Sequence, residues 1–204
     1  MIAIIDYKMG NLRSVENALR RLGAEFCVTA DHDVIRSADR VLLPGVGNAA
    51  EAMENLNAAG LPPVIRRLRC PVLGICVGMR VMCRDSEEGN VPCIGLFDAH
   101  VRRFVPQPEL KVPHMGWNNL APRAGSVLFN NTGDAPYVYF VHSYYAAEVS
   151  DEWTAATCTY GVTFTAAVQR GNVFGTQYHP EKSSAAGLQM LRNFIEYKEA
   201  DAAC

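Results

Sequence analysis

Apolar positions along the first half of the chain follow two spacings, which alternate. Residues 2–6 open with an unbroken apolar run, Ile2-Ala3-Ile4-Ile5, too short for a helix and of the kind a strand buried on both faces shows. Leu12, Val15, Leu19 and Leu22 then recur every three or four residues, which gives a helix one apolar face, and Gly23 supplies its stop. Residues 25–29 and 40–43 read as further strands. Residues 71–75 read as another, running directly into a helical stretch from Cys76 to about Arg84. This alternation predicts a single α/β domain with a mostly parallel central sheet flanked by helices, whose ligand site lies beyond the carboxyl ends of the strands.

From about Gly95 the pattern turns to strands separated by proline and glycine. Residues 101–105, 127–130 and 137–146 are strand-like, and residues 154–160, 163–169 and 172–178 form a meander through Gly161 and Gly171, so additional antiparallel strands are expected in the second half. Ser183 or Ser184 is placed to cap a last helix carrying Leu188, Leu191, Phe194 and Ile195, and the tail after Glu199 is expected to fray. There is no internal repeat or linker, so residues 1–204 are read as one domain.

Composition narrows the function. Hydrophobic residues make up 49% and charged residues 20% of the chain, and no apolar run approaches the ~18 residues that span a bilayer. Met1 leads straight into the first apolar run with no basic segment before it, which suits a first strand and a cytoplasmic protein better than a secretory leader. The net charge of −2 with scattered basic residues lacks the footprint of a nucleic-acid binder. Seven cysteines, an odd number with no C-x-x-C pair, point to reduced thiols and to no metal site.

Three segments carry candidate chemistry. In Leu73-Gly74-Ile75-Cys76-Val77-Gly78-Met79 an apolar strand ends in Gly-x-Cys-x-Gly at the mouth of a helix. Glycines two residues either side of Cys76 leave room for a strained turn that lifts a nucleophile above the sheet, and the helix N-terminus favours a thiolate. Alone, the motif suits a cysteine buried in a tight turn equally well. Gln177-Tyr178-His179-Pro180-Glu181 supplies a base: Pro180 keeps His179 extended, so residues 179 and 181 project to one side and Glu181 can orient the imidazole. In Leu42-Leu43-Pro44-Gly45-Val46-Gly47 a strand enters a glycine-rich loop. Backbone N–H groups near Val46 or Gly47, with that of Val77, are the candidate donors to a tetrahedral oxyanion.

These segments resemble the class I glutamine amidotransferases over nearly the whole chain. The narrower resemblance is to the glutaminase subunits of imidazole glycerol phosphate synthases, carried by Gly10-Asn11-Leu12-Arg13-Ser14-Val15 and Pro113-His114-Met115-Gly116-Trp117-Asn118, with Ser86-Glu87-Glu88-Gly89 and Phe140-Val141-His142-Ser143-Tyr144. The resemblance implies a glutamine-hydrolysing enzyme without cofactor, with Cys76 as nucleophile, His179 as base and Glu181 behind it. It also implies that Glu88 meets the substrate ammonium and that backbone groups of Ser143 and Tyr144 hold its carboxylate. Asn11, Ser14, Trp117 and Lys182 would face a (β/α)8-barrel cyclase subunit that receives the ammonia in a heterodimer of histidine biosynthesis. His142 is expected to be structural.

One departure from the family matters. Its usual Gly-Met-Gln after the nucleophile is here Gly78-Met79-Arg80, so a glutamine-binding amide becomes a permanent cation one helical turn beyond Cys76. Arg80 either pairs the substrate carboxylate and lowers the Cys76 pKa, or repels the ammonium. Two other functions suit the same residues: a paralogous subunit feeding ammonia to a sugar or surface-polysaccharide acceptor, and a non-catalytic α/β protein sensing oxidants through Cys76.

Overall fold

The computed structural model describes residues 1–198; the tail expected to fray lies outside them. Strands β1 (Ile2–Ile5), β2 (Phe26–Thr29), β3 (Arg40–Gly45) and β4 (Val72–Cys76) alternate with helices α1 (Leu12–Arg21), α2 (His32–Ser37), α3 (Ala49–Ala58) and α4 (Pro62–Ile65), and α5 (Val77–Val81) follows β4 without a break. The second half contributes β5 (Asp85–Ser86), β6 (Val91–Pro92), β7 (His100–Arg103), β8 (His114–Asn119), β9 (Ala121–Pro122), β10 (Tyr137–His142), β11 (Tyr144–Ala147), β12 (Thr154–Tyr160), β13 (Val162–Arg170), β14 (Val173–Thr176) and the last helix, α6 (Ser184–Glu196).

The central sheet runs β2-β1-β3-β4-β14 with every neighbour parallel. It continues through antiparallel β13, β11 and β7 to the short β5 and β6; β12 pairs along β13, and β9 pairs with β12. β1 and β4 are buried at every position, as strands covered on both faces must be. Asn11 caps α1 by accepting the Ser14 N–H, and Val15, Ala18 and Leu19 bury its apolar face. Full burial of a side chain such as Val15 or Leu19 contributes roughly 1.5–3 kcal/mol. The α/β architecture is therefore the one the apolar spacing predicts, with the antiparallel strands in the second half.

Several local expectations differ. The helix after Cys76 stops at Val81 instead of reaching Arg84, because the chain from Cys93 to Phe97 returns and its N–H groups take the carbonyls of Val81, Met82, Cys83 and Arg84. Residues 127–130 form a 3₁₀ turn, Val127–Phe129, in place of a strand. Asn193 of α6 donates to the Leu128 and Asn130 carbonyls at 2.8 and 2.7 Å, so those groups need no ladder. Residues 137–146 are not one strand but two: β10 pairs with β8 in a separate two-stranded ribbon, and β11 belongs to the main sheet. Neither candidate serine caps α6 with its side chain: the Ser183 hydroxyl donates to the His179 carbonyl at 2.7 Å and accepts the Tyr139 N–H at 3.0 Å.

Candidate active site

Cys76 ends β4 and begins α5 with φ 53°, a left-handed backbone that side-chain-bearing residues rarely adopt. The neighbouring glycines permit it. A Cβ on Gly78 would lie 1.8 Å from the Leu43 carbonyl oxygen of β3, and one on Gly74 would lie 2.8 Å from the backbone of Gly78 and Met79. No larger residue fits without moving β3 away from the turn. The thiol sits at the head of a helix beside the end of β3, where Gly45 pairs with Cys76.

β14 is the parallel neighbour of β4 on its other side, with Thr176 opposite Ile75. The chain leaving β14 therefore passes Cys76, and His179 arrives there, fixed by its N–H on the Tyr139 carbonyl at 3.0 Å. Its Nδ1 lies 2.8 Å from Glu181 Oε1, and both side chains are only 2% exposed. A Cβ on Gly187 would fall 2.0 Å from the Pro180 carbonyl, so α6 presses directly on this segment and holds it. The His179 Nε2 atom faces Cys76 without an aligned hydrogen bond, yet near enough for the two groups to shift each other.

Burial alone pushes the Cys76 thiol up, but the His179 ring, with Arg80 beyond it, outweighs burial and holds the thiol below its usual range. Burial likewise pulls His179 down, while Cys76 and Glu181 outweigh it and raise the imidazole. The two shifts run in opposite directions, the thiol down and the imidazole up, and both favour a thiolate–imidazolium pair. The pair is lost as pH falls through the lowered cysteine value and again as pH rises through the raised histidine value. Alkylation of Cys76 by iodoacetamide should thus rise at a lower pH than that of an ordinary thiol, and in His179→Asn, where burial is no longer outweighed by the imidazole, the rise should move to higher pH.

A cavity of about 240 Å³ opens over these groups, lined by Val46, Gly47, Cys76, Arg80, Glu88, Pro113, Val141, His142, Ser143 and His179. It is not the largest cavity: another, of about 480 Å³ around Arg123, Ser126 and Trp153, holds none of the candidate groups. Val77 heads α5 just behind the thiol, and Gly47 has φ 90° in the facing loop. The Ser143 carbonyl accepts the Phe104 N–H at 3.0 Å and the Tyr144 carbonyl accepts from His142 Nδ1 at 2.8 Å, so both carbonyls already have partners.

Residues 3–197 match the family described as glutamine amidotransferase class-I. The chain belongs to that family. The imidazole glycerol phosphate synthase subunit HisH of Bacteroides thetaiotaomicron is 49% identical over 196 residues, covering 96% of this chain and 98% of that protein. The subunit of the same name from Acinetobacter baylyi is 44% identical, with the same coverage. Among solved structures, a glutamine amidotransferase superposes with TM-score 0.75 at 17% identity over 96% of this chain and 98% of its own. PurLQS from Thermotoga maritima does so with TM-score 0.68 at 18% identity, over 96% and 97%. At such identities the two structures speak for the shared class I amidotransferase fold alone.

Three features of this class I amidotransferase site were not assigned from the sequence. Gln177 is fully buried and its Nε2 donates to Cys76 Sγ at 3.7 Å, while its Oε1 has no partner. Its place two residues before His179 on an extended segment was the available signal. His142 and His114 are opposite residues of the β10–β8 ribbon, joined Nε2 to Nδ1 at 2.9 Å. Burial lowers them to about 3 and about 4, so both are neutral at physiological pH, which suits His142 as a structural wall of the cavity. Third, buried Arg80 and part-buried Glu88 form an ion pair with each other, so neither stands free in the cavity.

The residues expected to meet a partner lie on neighbouring elements. Asn11 and Lys182 are exposed and Ser14 is half-buried. α1 touches the Pro180–Lys182 turn, which touches β10. Across the ribbon from β10, Trp117 is 46% exposed and stacks on Tyr137, itself 52% exposed, with Met115 at 63% beside them. Exposed aromatic and Met side chains gathered this way are the composition of a docking surface.

Proposed function

We propose that this chain is the glutaminase subunit of an imidazole glycerol phosphate synthase, and that Cys76, His179 and Glu181 are its catalytic groups. The carrying observation is the buried line from Glu181 through His179 to Cys76 opening on one small cavity. The Cys76 thiolate attacks the carboxamide carbon of glutamine, and the N–H groups of Val77 and of the Val46–Gly47 loop receive the oxyanion. The His179 imidazolium gives its proton to the departing ammonia, leaving a glutamyl thioester and a neutral imidazole. That imidazole then takes a proton from water, whose oxygen cleaves the thioester and releases glutamate. Glu181 keeps the imidazole in one orientation and stabilises its charged form throughout.

Glu88 is the seat of the substrate ammonium, and the backbone N–H groups of Ser143 and Tyr144 are the seat of its carboxylate. Ammonia freed into bulk water is protonated and diluted, so the acceptor must be sealed against the site. A (β/α)8-barrel cyclase docked over Trp117, Asn11, Ser14 and Lys182 meets that need and makes imidazole glycerol phosphate and an aminoimidazole carboxamide ribonucleotide. The names of the 49% and 44% identical relatives favour this acceptor over a polysaccharide sugar. A thiol sensor would have no use for the Glu181 contact.

Glutamate release measured for the chain alone, with empty cyclase and with ligand-loaded cyclase tests the assignment. The expected result is a rate near background for the chain alone and stimulation by about 10²-fold or more in the loaded complex, the scale of a site completed by closure. Equal rates in all three would exclude coupling through the docking face, and no hydrolysis in any would exclude the glutaminase.

A further inference from the structure

We infer that Arg80 is a positioning residue that ties the seat of the substrate ammonium to the oxyanion loop, and that glutamine binds by loosening this tie. The inference rests on the glutaminase reading and concerns Arg80, which stands where the resemblance to the family leads one to expect glutamine.

Arg80 lies on α5 and is 3% exposed. A guanidinium held away from water needs partners for its charge and its five N–H groups. Nη1 donates to Glu88 Oε2, Nη2 donates to the Gly47 carbonyl at 3.3 Å, and Nε has no partner. The Tyr144 ring lies 6.0 Å from the guanidinium carbon. The same Glu88 oxygen also accepts the Ala49 N–H, the first of α3, at 2.8 Å. The Gly47–Ala49 segment is therefore held at both ends by one ion pair: its first carbonyl by Arg80, its last N–H by Glu88.

Two consequences follow from charge and geometry. An ammonium group approaching Glu88 meets a carboxylate already neutralised, with a like charge against it, so its attraction is smaller than to a free carboxylate. To gain full pairing it must draw Glu88 away from Arg80. The peptide after Gly47 is meanwhile fixed by its carbonyl, which restricts the turn by which the preceding peptide presents an N–H to the oxyanion. Loosening Arg80 frees this turn, so occupation of the ammonium seat and mobility of the loop become linked, as two sites sharing one contact must be. An uncharged side chain at position 80 would leave Glu88 its full charge and the loop untied.

The test compares wild type with Arg80→Gln and Arg80→Met in complex with ligand-loaded cyclase, on glutamine and on 4-carbamoylbutanoate, which has the same amide and carboxylate without the ammonium. Both variants should lower KM for glutamine by about fivefold or more, the lower range of linkage between coupled sites. KM for 4-carbamoylbutanoate should stay unchanged, and glutamine hydrolysis by the chain alone should rise. A general loss of packing would not move one substrate and spare the other. Equal shifts for both substrates overturn the inference, and a raised KM for both would instead mark Arg80 as a carboxylate ligand. If the variants fail to fold, a structure of the Cys76→Ala complex with glutamine bound decides. Arg80 should have left the Gly47 carbonyl, and persistence of both Arg80 bonds refutes the tie. Hydrolysis with unchanged KM removes the tie alone; a wild-type complex that hydrolyses no glutamine removes the glutaminase reading and the tie with it.

Discussion

Cys76→Ala is expected to abolish glutamine-dependent synthesis in the cyclase complex while leaving synthesis from added ammonium salts intact. The thiol is the one group at the end of β4 whose removal takes away the nucleophile and little else. Alanine keeps the Cβ that the φ 53° turn already accommodates, and the hydrogen bond that disappears with the sulfur is the long one from Gln177 Nε2 at 3.7 Å. The ribbon carrying Trp117 and the α1 face carrying Asn11 do not pass through the thiol, so docking should survive. Without a nucleophile the rate with glutamine should fall by at least about 10⁴-fold, as when an acyl-transfer triad loses one of its members. Ammonia supplied from solution bypasses the missing step, and its use should change less than about threefold, within the variation typical of a neutral substitution. Product formation measured with glutamine and with ammonium chloride at mildly alkaline pH gives both numbers. Loss of both activities in a folded, assembled complex would contradict the division of labour between the two sites.

What the sequence made legible was what chemistry requires of close neighbours. The elbow at Cys76 could be read because its constraint acts over two residues on either side, and the His179–Glu181 pair because an extended chain places residues i and i+2 together. The contact between Cys76 and His179 is of another kind: it exists because β14 pairs with β4, a register set by burial of both strands and not by any spacing between the two segments. Helix α3 was missed because its apolar face is built from alanines, Ala49 and Ala52 with Met53 and Leu56, although Asn48 and Glu51 flank its start in a capping arrangement. The place of Arg80 is legible in the sequence; its contacts are not. Its spacing puts it one turn past the nucleophile, but a long side chain can point along several directions, and the structure sends it to Glu88 and Gly47 instead of into the open cavity. The break at Ser143 was invisible for the same reason the His114–His142 pair was: both depend on β8, whose alternation is interrupted by Gly116.

Gly78→Ala should have the largest effect on stability, and its sign discriminates between two readings of the elbow. Gly78 has an ordinary helical place in α5, and at such a place alanine stabilises by about 1 kcal/mol over glycine when nothing obstructs it. Here the added Cβ would stand 1.8 Å from the Leu43 carbonyl oxygen and 2.9 Å from its carbon, backbone atoms in the middle of β3 that cannot swing aside as the tip of a side chain can. Separation of α5 from β3 by more than an ångström is the only relief. The cost should exceed the helix gain and leave a net loss of roughly 3 kcal/mol, the upper range for overpacking a filled core. For a domain of this size that lowers Tm by roughly 6–12 °C. Gly74→Ala, whose Cβ meets backbone at 2.8 Å, should cost less. The same separation carries Val46 and Gly47 away from Cys76, and a misplacement of about 1 Å between nucleophile and oxyanion donors lowers the rate by about 10²-fold even in the folded fraction. Thermal melting and glutamate release on the same preparation read both effects. A Gly78→Ala chain that melts at or above the wild-type temperature would mean that β3 and α5 are not in contact through this glycine, and that the close approach bringing the loop to the thiol is held in some other way.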